Sequence, residues 1–233
     1  MKRQRMTRRT LVPRLRMIPS PAMSTLKAPR AFIVSQGEEI LTGLVTDTNA
    51  NFLCARLTEL GLRVRGVITA GDHIEEIAAA LQRATESAEV VVCTGGLGPT
   101  DDDLTAEAAA LAFARPLQFY AEAMTQIEER FAVLGREAAT SDKRQAMLPQ
   151  GASLVPNALG TAPGFCLEIK PGHRCWFLPG VPSEMKPMWH DIVSAQASEM
   201  LELDPPGRLL FRVMGRGESR LQDLLADLPK RYP

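Results

Sequence analysis

Residues 89–113 read EVVVCTGGLGPTDDDLTAEAAALAF, and this stretch decides the fold class. It begins with a short, mostly apolar run at 89–93, continues with a glycine-rich turn, and ends in an alanine-rich segment at 104–113. A short apolar run of this kind is typical of a strand buried on both faces, as in a parallel sheet. The stretch therefore predicts a strand, a loop and a helix, which is the repeating unit of an α/β protein.

The same unit occurs twice upstream. Residues 31–35 (AFIVS) and 62–70 predict two further strands, and the apolar spacing at 48–60 and 74–81 predicts a helix after each. This order predicts a doubly wound sheet with right-handed crossovers. We therefore expect a three-layer α/β/α protein with a mostly parallel sheet.

The chain beyond residue 113 alternates less regularly. Its apolar runs and turn residues still predict secondary structure, with two strands joined by the turn KPGH at 170–173. The predicted elements are a helix at 120–134, strands at 154–155, 164–169 and 175–178, and a proline-initiated helix at 182–200.

The clearest linker is DPPG at 204–207. A strand at 208–214 and a helix at 218–228 are predicted beyond it, and two such elements are too few to build a core. We therefore predict three regions: a basic, disordered head over 1–30, an α/β domain over 31–203, and a linker with the truncated start of a second domain over 204–233.

Charge is distributed unevenly along the chain. Residues 1–30 hold nine of the 27 Lys and Arg residues and none of the 27 Asp and Glu residues, so residues 31–233 carry a net charge of −9. An acidic body argues against nucleic-acid binding by the folded part. For the head, a transit peptide, an arm for nucleic acid or a membrane surface, and an upstream start codon before Met23 all remain open, and we favour the last.

The four cysteines are scattered without a CxxC pair. This spacing argues against a disulfide framework and a structural zinc site, and favours reduced thiols in the cytoplasm. No run approaches 18 apolar residues, so we expect no membrane span.

Three polar loops follow the first three predicted strands. Ligands of open α/β sheets bind beyond the carboxyl ends of the strands, so these loops are expected to share one ligand. Asp47, Asn49 and Asp72 have the alternative role of helix caps. The predicted ligand contacts are Gly37, Glu39, Asp47 and Asn49 in the first loop, Asp72 in the second, and Thr94, Gly95, Gly96, Gly98 and Thr105 in or beside the third.

The third loop combines glycines with three consecutive aspartates at 101–103. Glycines let backbone N–H groups approach a ligand closely, and with the following helix N-terminus they favour a phosphate. Aspartates beside a phosphate require a cation between them, and oxygen ligands suit Mg²⁺ or Mn²⁺. The alternative is that the aspartates only complement the helix start. The loop is neither a P-loop nor GxGxxG.

Several motifs together resemble one family. The segments GEEILTG and DTN within 37–49, TGGLGPTDDDLT at 94–105 and LPGVPSEMKPM at 178–188 resemble the competence/damage-inducible protein A (CinA) family. Asn157 and residues 160–164 match the loop that precedes the last motif, and the resemblance extends from residue 31 to about 203. Residues 212–225 resemble the opening of that family's next domain. The resemblance implies that the family's C-terminal domain, which deamidates nicotinamide mononucleotide, is missing from this chain.

The matching region resembles the molybdopterin-binding fold of molybdenum-cofactor biosynthesis proteins. Their pattern TGGxG…DxTxE corresponds to 94–98, Asp103, Thr105 and Glu107. In the CinA family this domain is associated with metal-dependent hydrolysis of ADP-ribose to AMP and ribose 5-phosphate. Gln36 departs from the pattern, because a small residue is expected before Gly37.

The resemblance implies an ADP-ribose pyrophosphatase that requires a divalent metal (Mg, Mn or Co). Asp102, Asp103 and Asp47 would hold the metal, Lys143 would stabilise the phosphates together with the catalytic Asp102 and Asp103, and Asn157 would contact the substrate. Two alternatives stay open, namely a molybdopterin-binding or adenylyl-transfer domain and a non-catalytic nucleotide-binding module. Because domains of this fold often self-associate, the resemblance also implies a homo-oligomer that binds a small nucleotide or pterin.

Overall fold

The computed structural model describes residues 28–203, 213–215 and 217–228. Its strands and helices follow one another along the chain, with a 3₁₀ segment at Thr140–Ala146 and a π-helical segment at Trp189–Val193. The strands are β1 (Arg30–Gln36), β2 (Arg63–Ala70), β3 (Val90–Thr94), β4 (Leu117–Phe119), β5 (Met147–Pro149), β6 (Ser153–Val155), β7 (Gly164–Lys170) and β8 (His173–Leu178). The helices are α1 (Glu38–Leu41), α2 (Thr48–Glu59), α3 (Ile74–Ser87), α4 (Thr105–Ala112), α5 (Ala121–Val133), α6 (Pro182–Met188), α7 (Ser194–Leu201) and α8 (Glu218–Leu225).

Six strands form one mixed sheet in the order β2-β1-β3-β8-β7-β6. β2, β1, β3 and β8 are parallel to one another, and β7 runs antiparallel to both β8 and β6. β4 and β5 form a separate antiparallel pair. The predicted three-layer α/β/α fold with a mostly parallel sheet is confirmed.

Helices cover both faces of the sheet because the strands are apolar on both sides. In β1, Phe32 and Val34 belong to one core cluster, while Ala31 and Ile33 belong to the other. The first cluster includes residues of α3, α4 and α5, and the second includes residues of α2, α6 and α7. Burying an aliphatic or aromatic side chain of this size contributes about 1.5–3 kcal/mol. These two clusters therefore stabilise the layers.

The cysteines of the sheet lie inside these clusters. Cys93 on β3, Cys166 on β7 and Cys175 on β8 are buried, whereas Cys54 on α2 is partly exposed. All four are free thiols. Burial raises the pKa of Cys93 and of Cys166 to about 12, and that of Cys175 well above its ordinary value.

The parallel strands end at the same level. Ser35 on β1 lies beside Thr94 on β3, which lies beside Leu178 on β8, and Gln36 lies beside Ala70 on β2. The loops that follow these four strands therefore meet at one edge of the sheet, as the sequence predicts for its three loops.

The structure corrects several local expectations. Residues 36–47, predicted as a loop, contain the helix α1. Asp72 does not cap α3, because the N-cap is His73 and the Asp72 carboxylate instead accepts a hydrogen bond from Glu38 N at 3.2 Å. The pair β4–β5 was not predicted, because three-residue strands are too short to show a periodicity.

The predicted features at the two ends of the chain are only partly described. The head up to residue 27, the linker at 204–207 and residues 208–212 of the predicted strand lie outside the described residues. The division into three regions stays a prediction. Among the described residues, none of the helices combines the length and the apolar character needed to cross a membrane.

Candidate functional site

A cleft of about 550 Å³ opens at this edge of the sheet. Its volume suits a nucleotide-sized molecule, because small-molecule sites measure about 300–1,000 Å³. The walls come from the loops after β1, β2, β3 and β8, and from parts of the chain between β5 and β7 and of the 3₁₀ segment. The lining residues are Gln36, Gly37, Glu39, Asp72, Gly95, Gly96, Leu97, Gly98, Pro99, Asp102, Asp103, Gln145, Thr161, Ala162, Pro179, Gly180, Val181, Pro182 and Glu184.

The glycine loop, residues 95–99, follows β3 and offers backbone donors. Gly95 and Gly96 have φ values of 106° and 63°, in the left-handed region that favours glycine. Gly95 N donates to Leu178 O at 3.0 Å, which fastens the loop to β8. Within the described residues, the N–H groups of Gly96, Leu97 and Gly98 donate to no protein acceptor. Successive free N–H groups in such a loop suit an anion.

Two aspartates lie beside these donors. The Asp103 carboxylate accepts hydrogen bonds from Thr100 N at 2.9 Å and Thr100 Oγ1 at 2.6 Å, and the same hydroxyl contacts Asp102. The Thr100 hydroxyl, and to a smaller extent the Arg144 guanidinium, lower the pKa of Asp102 below its ordinary value. Asp102 is therefore ionised at neutral pH, which suits it to hold a cation rather than to donate a proton.

The cleft is strongly acidic. Five carboxylates line it, those of Glu39, Asp72, Asp102, Asp103 and Glu184. No Lys, Arg or His within the described parts of the chain is among the lining residues. An uncompensated phosphate would be repelled here, so a phosphate-bearing ligand needs a cation as well as the free N–H groups.

The carboxylates suit a divalent metal only together with the ligand. Within the described residues, no three His, Cys, Asp or Glu side chains form a preassembled metal site. Mg²⁺ is commonly bound by one or two carboxylates, water and the phosphates of a substrate, and the cleft offers the carboxylates of Asp102 and Asp103 for this arrangement.

Comparisons with known proteins agree with the motifs. Residues 32–199 match the family model described as a probable molybdopterin binding domain. The structure resembles that of the protein CinA with unknown function from Thermoplasma acidophilum, with a TM-score of 0.67 and 33% identity over 72% of this chain and 98% of that one. The chain belongs to the CinA family.

Other relatives support the same assignment. A CinA-like protein of Geobacter metallireducens is 43% identical over 86% of this chain and 49% of its own length. The chain thus spans about half the length of the curated CinA relatives that it matches. A molybdopterin biosynthesis protein from Mycobacterium abscessus shares the fold, with a TM-score of 0.50 and 18% identity over 75% of this chain and 94% of that one.

Gln36 occupies the floor of the cleft in this CinA-family chain. It is 5% exposed. Its Nε2 atom donates to Asp72 Oδ1 and to Asp102 O, both at 3.2 Å, and its Oε1 atom accepts from the Thr105 hydroxyl. The residue that departs from the family pattern thus joins β1, the turn after β2 and the loop before α4.

Of the predicted site residues, eight line the cleft. Asp47 and Asn49 do not. Asp47 caps α2 by accepting from Ala50 N at 2.8 Å, and it also accepts from Ser35 Oγ at 2.6 Å. Asn49 Nδ2 donates to Gly180 O at 2.7 Å and so holds the turn after β8. The alternative role as a cap therefore applies to Asp47, and the predicted third metal ligand lies outside the lining. The eight are Gly37, Glu39, Asp72, Gly95, Gly96, Gly98, Asp102 and Asp103.

The remaining predicted residues also lie outside the lining. Thr94 is buried at the end of β3, and Thr105 Oγ1 contacts Gly95 O at 2.9 Å beneath the glycine loop. Lys143 is exposed, whereas its neighbour Arg144 donates to Glu107 Oε1 at 2.9 and 3.0 Å and to Thr100 O at 3.1 Å. Arg144 thus braces the aspartate loop from behind. Asn157 contacts Glu184, as described below.

Sequence analysis missed Gln145 and Glu184. Gln145 is 6% exposed, donates from Nε2 to Leu97 O at 3.1 Å, and has a buried Oε1 without a partner among the described residues. Glu184 follows β8, so the rule that selected the other loops would also have selected it. Nothing local in the sequence distinguishes Gln145 from a surface glutamine.

Proposed function

We propose that this chain binds a small, phosphate-bearing ligand of the molybdopterin class in the cleft at the carboxyl edge of the sheet. The observation that carries the proposal is the row of free N–H groups at Gly96, Leu97 and Gly98, which faces a cleft of nucleotide size. The pterin class comes from the family model, which is described as a probable molybdopterin binding domain. The phosphate would lie on the glycine loop.

A second candidate is metal-dependent hydrolysis of ADP-ribose to AMP and ribose 5-phosphate. It is favoured by Asp102 and Asp103, which lie in the same cleft as the glycine loop. A divalent cation held by these carboxylates would neutralise the diphosphate and lower the pKa of an attacking water. The chain's own contribution would be to fix the diphosphate on the N–H groups, and to keep the aspartates in place through Thr100 and Arg144.

Anaerobic titration calorimetry of the full chain tests the first proposal. The ligands are purified molybdopterin and ADP-ribose, each with Mg²⁺, Mn²⁺, Co²⁺ or EDTA. We expect molybdopterin to bind more tightly with a divalent cation, because the cleft contains no basic side chain among its described residues. Failure of the folded protein to bind molybdopterin under all four conditions would overturn the proposal.

Chromatography of the ADP-ribose samples tests the second candidate. AMP that forms only with a divalent cation, and that is lost in Asp103→Asn, supports hydrolysis. Asp101→Asn is the matched control, because it removes the same charge one turn of the loop away from a side chain that is fully exposed and outside the lining. Equal loss in both variants, or no AMP from wild type, counts against hydrolysis at this site.

A further inference from the structure

Glu184 is a cleft carboxylate that the loop before β7 holds in place. It lies in the first turn of α6, in the wall formed by residues 179–184. Its Oε2 atom accepts a hydrogen bond from Asn157 Nδ2 at 2.7 Å. Within the described residues, its Oε1 atom has no hydrogen-bond or ion-pair partner. One oxygen is therefore anchored and the other is free.

The anchor itself is rigid. Asn157 uses the same amide nitrogen to donate to Ala162 O at 2.9 Å, and its Oδ1 atom accepts from Leu159 N at 3.1 Å and from Gly160 N at 2.9 Å. Gly160 fits closely against the carboxylate, since a Cβ atom there would lie 1.8 Å from Glu184 Oε2. The loop at 157–162 thus leaves the Glu184 carboxylate little freedom to turn away.

The surroundings decide what the free oxygen can bind. The lining of the cleft offers no Lys, Arg or His among the described residues, so the protein provides no positive partner. A half-buried carboxylate gains most from a hydrogen bond donated to it, which is stronger than one between neutral groups. A ligand with its phosphate on the glycine loop would therefore gain from an O–H or N–H donor near Glu184.

We propose that Glu184 is a specificity-determining residue that accepts hydrogen bonds from O–H or N–H donors on the same ligand that carries the phosphate, with Asn157 as its positioning residue. This inference rests on the proposed phosphate-ligand function. It selects ligands with donors at a distance from the phosphate, such as ribose hydroxyls or the ring N–H groups of a pterin. Free pyrophosphate has no such donors and is not selected by Glu184.

The test compares four probes with the full chain in Mg²⁺: AMP, 2′,3′-dideoxy-AMP, molybdopterin and inorganic pyrophosphate. Glu184→Gln keeps the shape of the side chain and removes its charge. We expect it to weaken binding of AMP or molybdopterin about 10- to 100-fold, as for loss of a charged hydrogen bond. Pyrophosphate binding should stay unchanged or become tighter, because a repelling charge is gone. Glu199→Gln, on the exposed face of α7, is the matched control.

The outcomes separate the two proposals. A loss for AMP but not for its dideoxy form identifies ribose hydroxyls as the donors, and a loss for molybdopterin alone identifies the pterin. An equal loss for all probes including pyrophosphate, or no loss for any, overturns the role of Glu184 while leaving the phosphate site intact. Wild type that binds no probe overturns both. If Glu184→Gln lowers the melting temperature, Glu184→Asp, which retains the charge, must keep pyrophosphate binding and lose part of the preference.

Discussion

At the scale of single residues, Gln36 has the largest structural consequence. One buried amide bonds to Asp72, to the main chain of Asp102 and to Thr105, on three different segments. Removing a partner from a buried polar group costs about 1–3 kcal/mol. The glycine loop lies directly on this side chain, because a Cβ atom on Gly96 would lie 2.1 Å from Gln36 Oε1. The floor of the cleft and its phosphate-binding loop therefore depend on each other.

Gly96→Ala tests this contact. The substitution combines the cost of a left-handed backbone at φ 63° with a clash against Gln36, and we expect the free energy of unfolding to fall by about 2–4 kcal/mol. The measurement is urea unfolding. Gly135→Ala is the control, because it has φ 69° and nothing within 4 Å of a new Cβ, so it should cost about 1–2 kcal/mol.

A double variant isolates the clash. In a Gln36→Ala background the Gly96→Ala substitution should cost no more than Gly135→Ala, since the atom that it meets has been removed. Equal costs for Gly96→Ala with and without Gln36 would show that backbone conformation alone is responsible.

The sequence predicted the residues of the site unevenly. The glycines and aspartates of 95–103 are a local signal, and Gly95, Gly96, Gly98, Asp102 and Asp103 all line the cleft. Asn49 and Asn157 hold other residues instead, through partners 131 and 27 positions away. Such partners are set by tertiary packing, which one sequence does not display. Their roles as substrate contacts remain predictions.

At the scale of elements, the start of β1 is joined to the residue before β3. Arg30 N donates to Glu89 Oε2 at 2.7 Å, and Glu89 N donates to Arg30 O at 3.1 Å. Burial by itself would raise the pKa of Glu89, but the hydrogen bonds and charge of Arg30 outweigh it and lower that pKa to about 2. The ionised carboxylate therefore stabilises the folded sheet.

This pair predicts a pH dependence. Unfolded Glu89 has an ordinary pKa of about 4.5, so between pH 4.5 and 2 the unfolded chain binds more protons than the folded one. The stabilisation is complete above pH 4.5 and disappears as the pH falls towards 2. The free energy of unfolding should therefore fall more steeply with acid for wild type than for Glu89→Gln.

Urea midpoints measured at several pH values in this range provide the comparison. Glu168→Gln is the control, because its more exposed carboxylate lies 3.5 Å from Arg174. Parallel curves for wild type and Glu89→Gln would show that the Arg30 pair does not contribute in solution.

Elements were predicted best where their periodicity is long. The strands of the parallel sheet and helices α2, α3, α4 and α5 match their predictions to within two residues at each end. The continuous helix predicted at 182–200 contains a π-helical segment at Trp189–Val193 that no sequence rule would place. The four-residue α1 and the β4–β5 pair depend on contacts outside themselves, which is why their own residues do not indicate them.

At the scale of the whole molecule, both core clusters lie within residues 31–203. None of the residues of α8 is buried, and Leu224 and Leu225 on it are 71% and 50% exposed. The core thus does not depend on that helix. The CinA-family relatives are about twice as long as the part that this chain matches, so activities of the whole relatives are not transferred to it. Self-association stays a prediction.

A shortened chain tests this division. Residues 28–203 should unfold in one cooperative transition with a melting temperature within about 2 °C of the full chain, because the apolar clusters are retained. Soluble yield should rise, because exposed leucines are removed. Calorimetry and expression of the two chains in parallel provide the readout. A melting temperature lowered by more than about 5 °C would show that residues 204–233 pack on the core.

The buried thiols have a practical consequence. Cys93, Cys166 and Cys175 lie on the three adjacent strands at the centre of the sheet, whereas Cys54 is partly exposed. A thiol-specific reagent should label one site in the folded molecule and three more only when β3, β7 and β8 separate. The labelling rate of those three sites then follows the opening of the sheet, and ligands that occupy the cleft can be found, without knowledge of their chemistry, by how much they slow it.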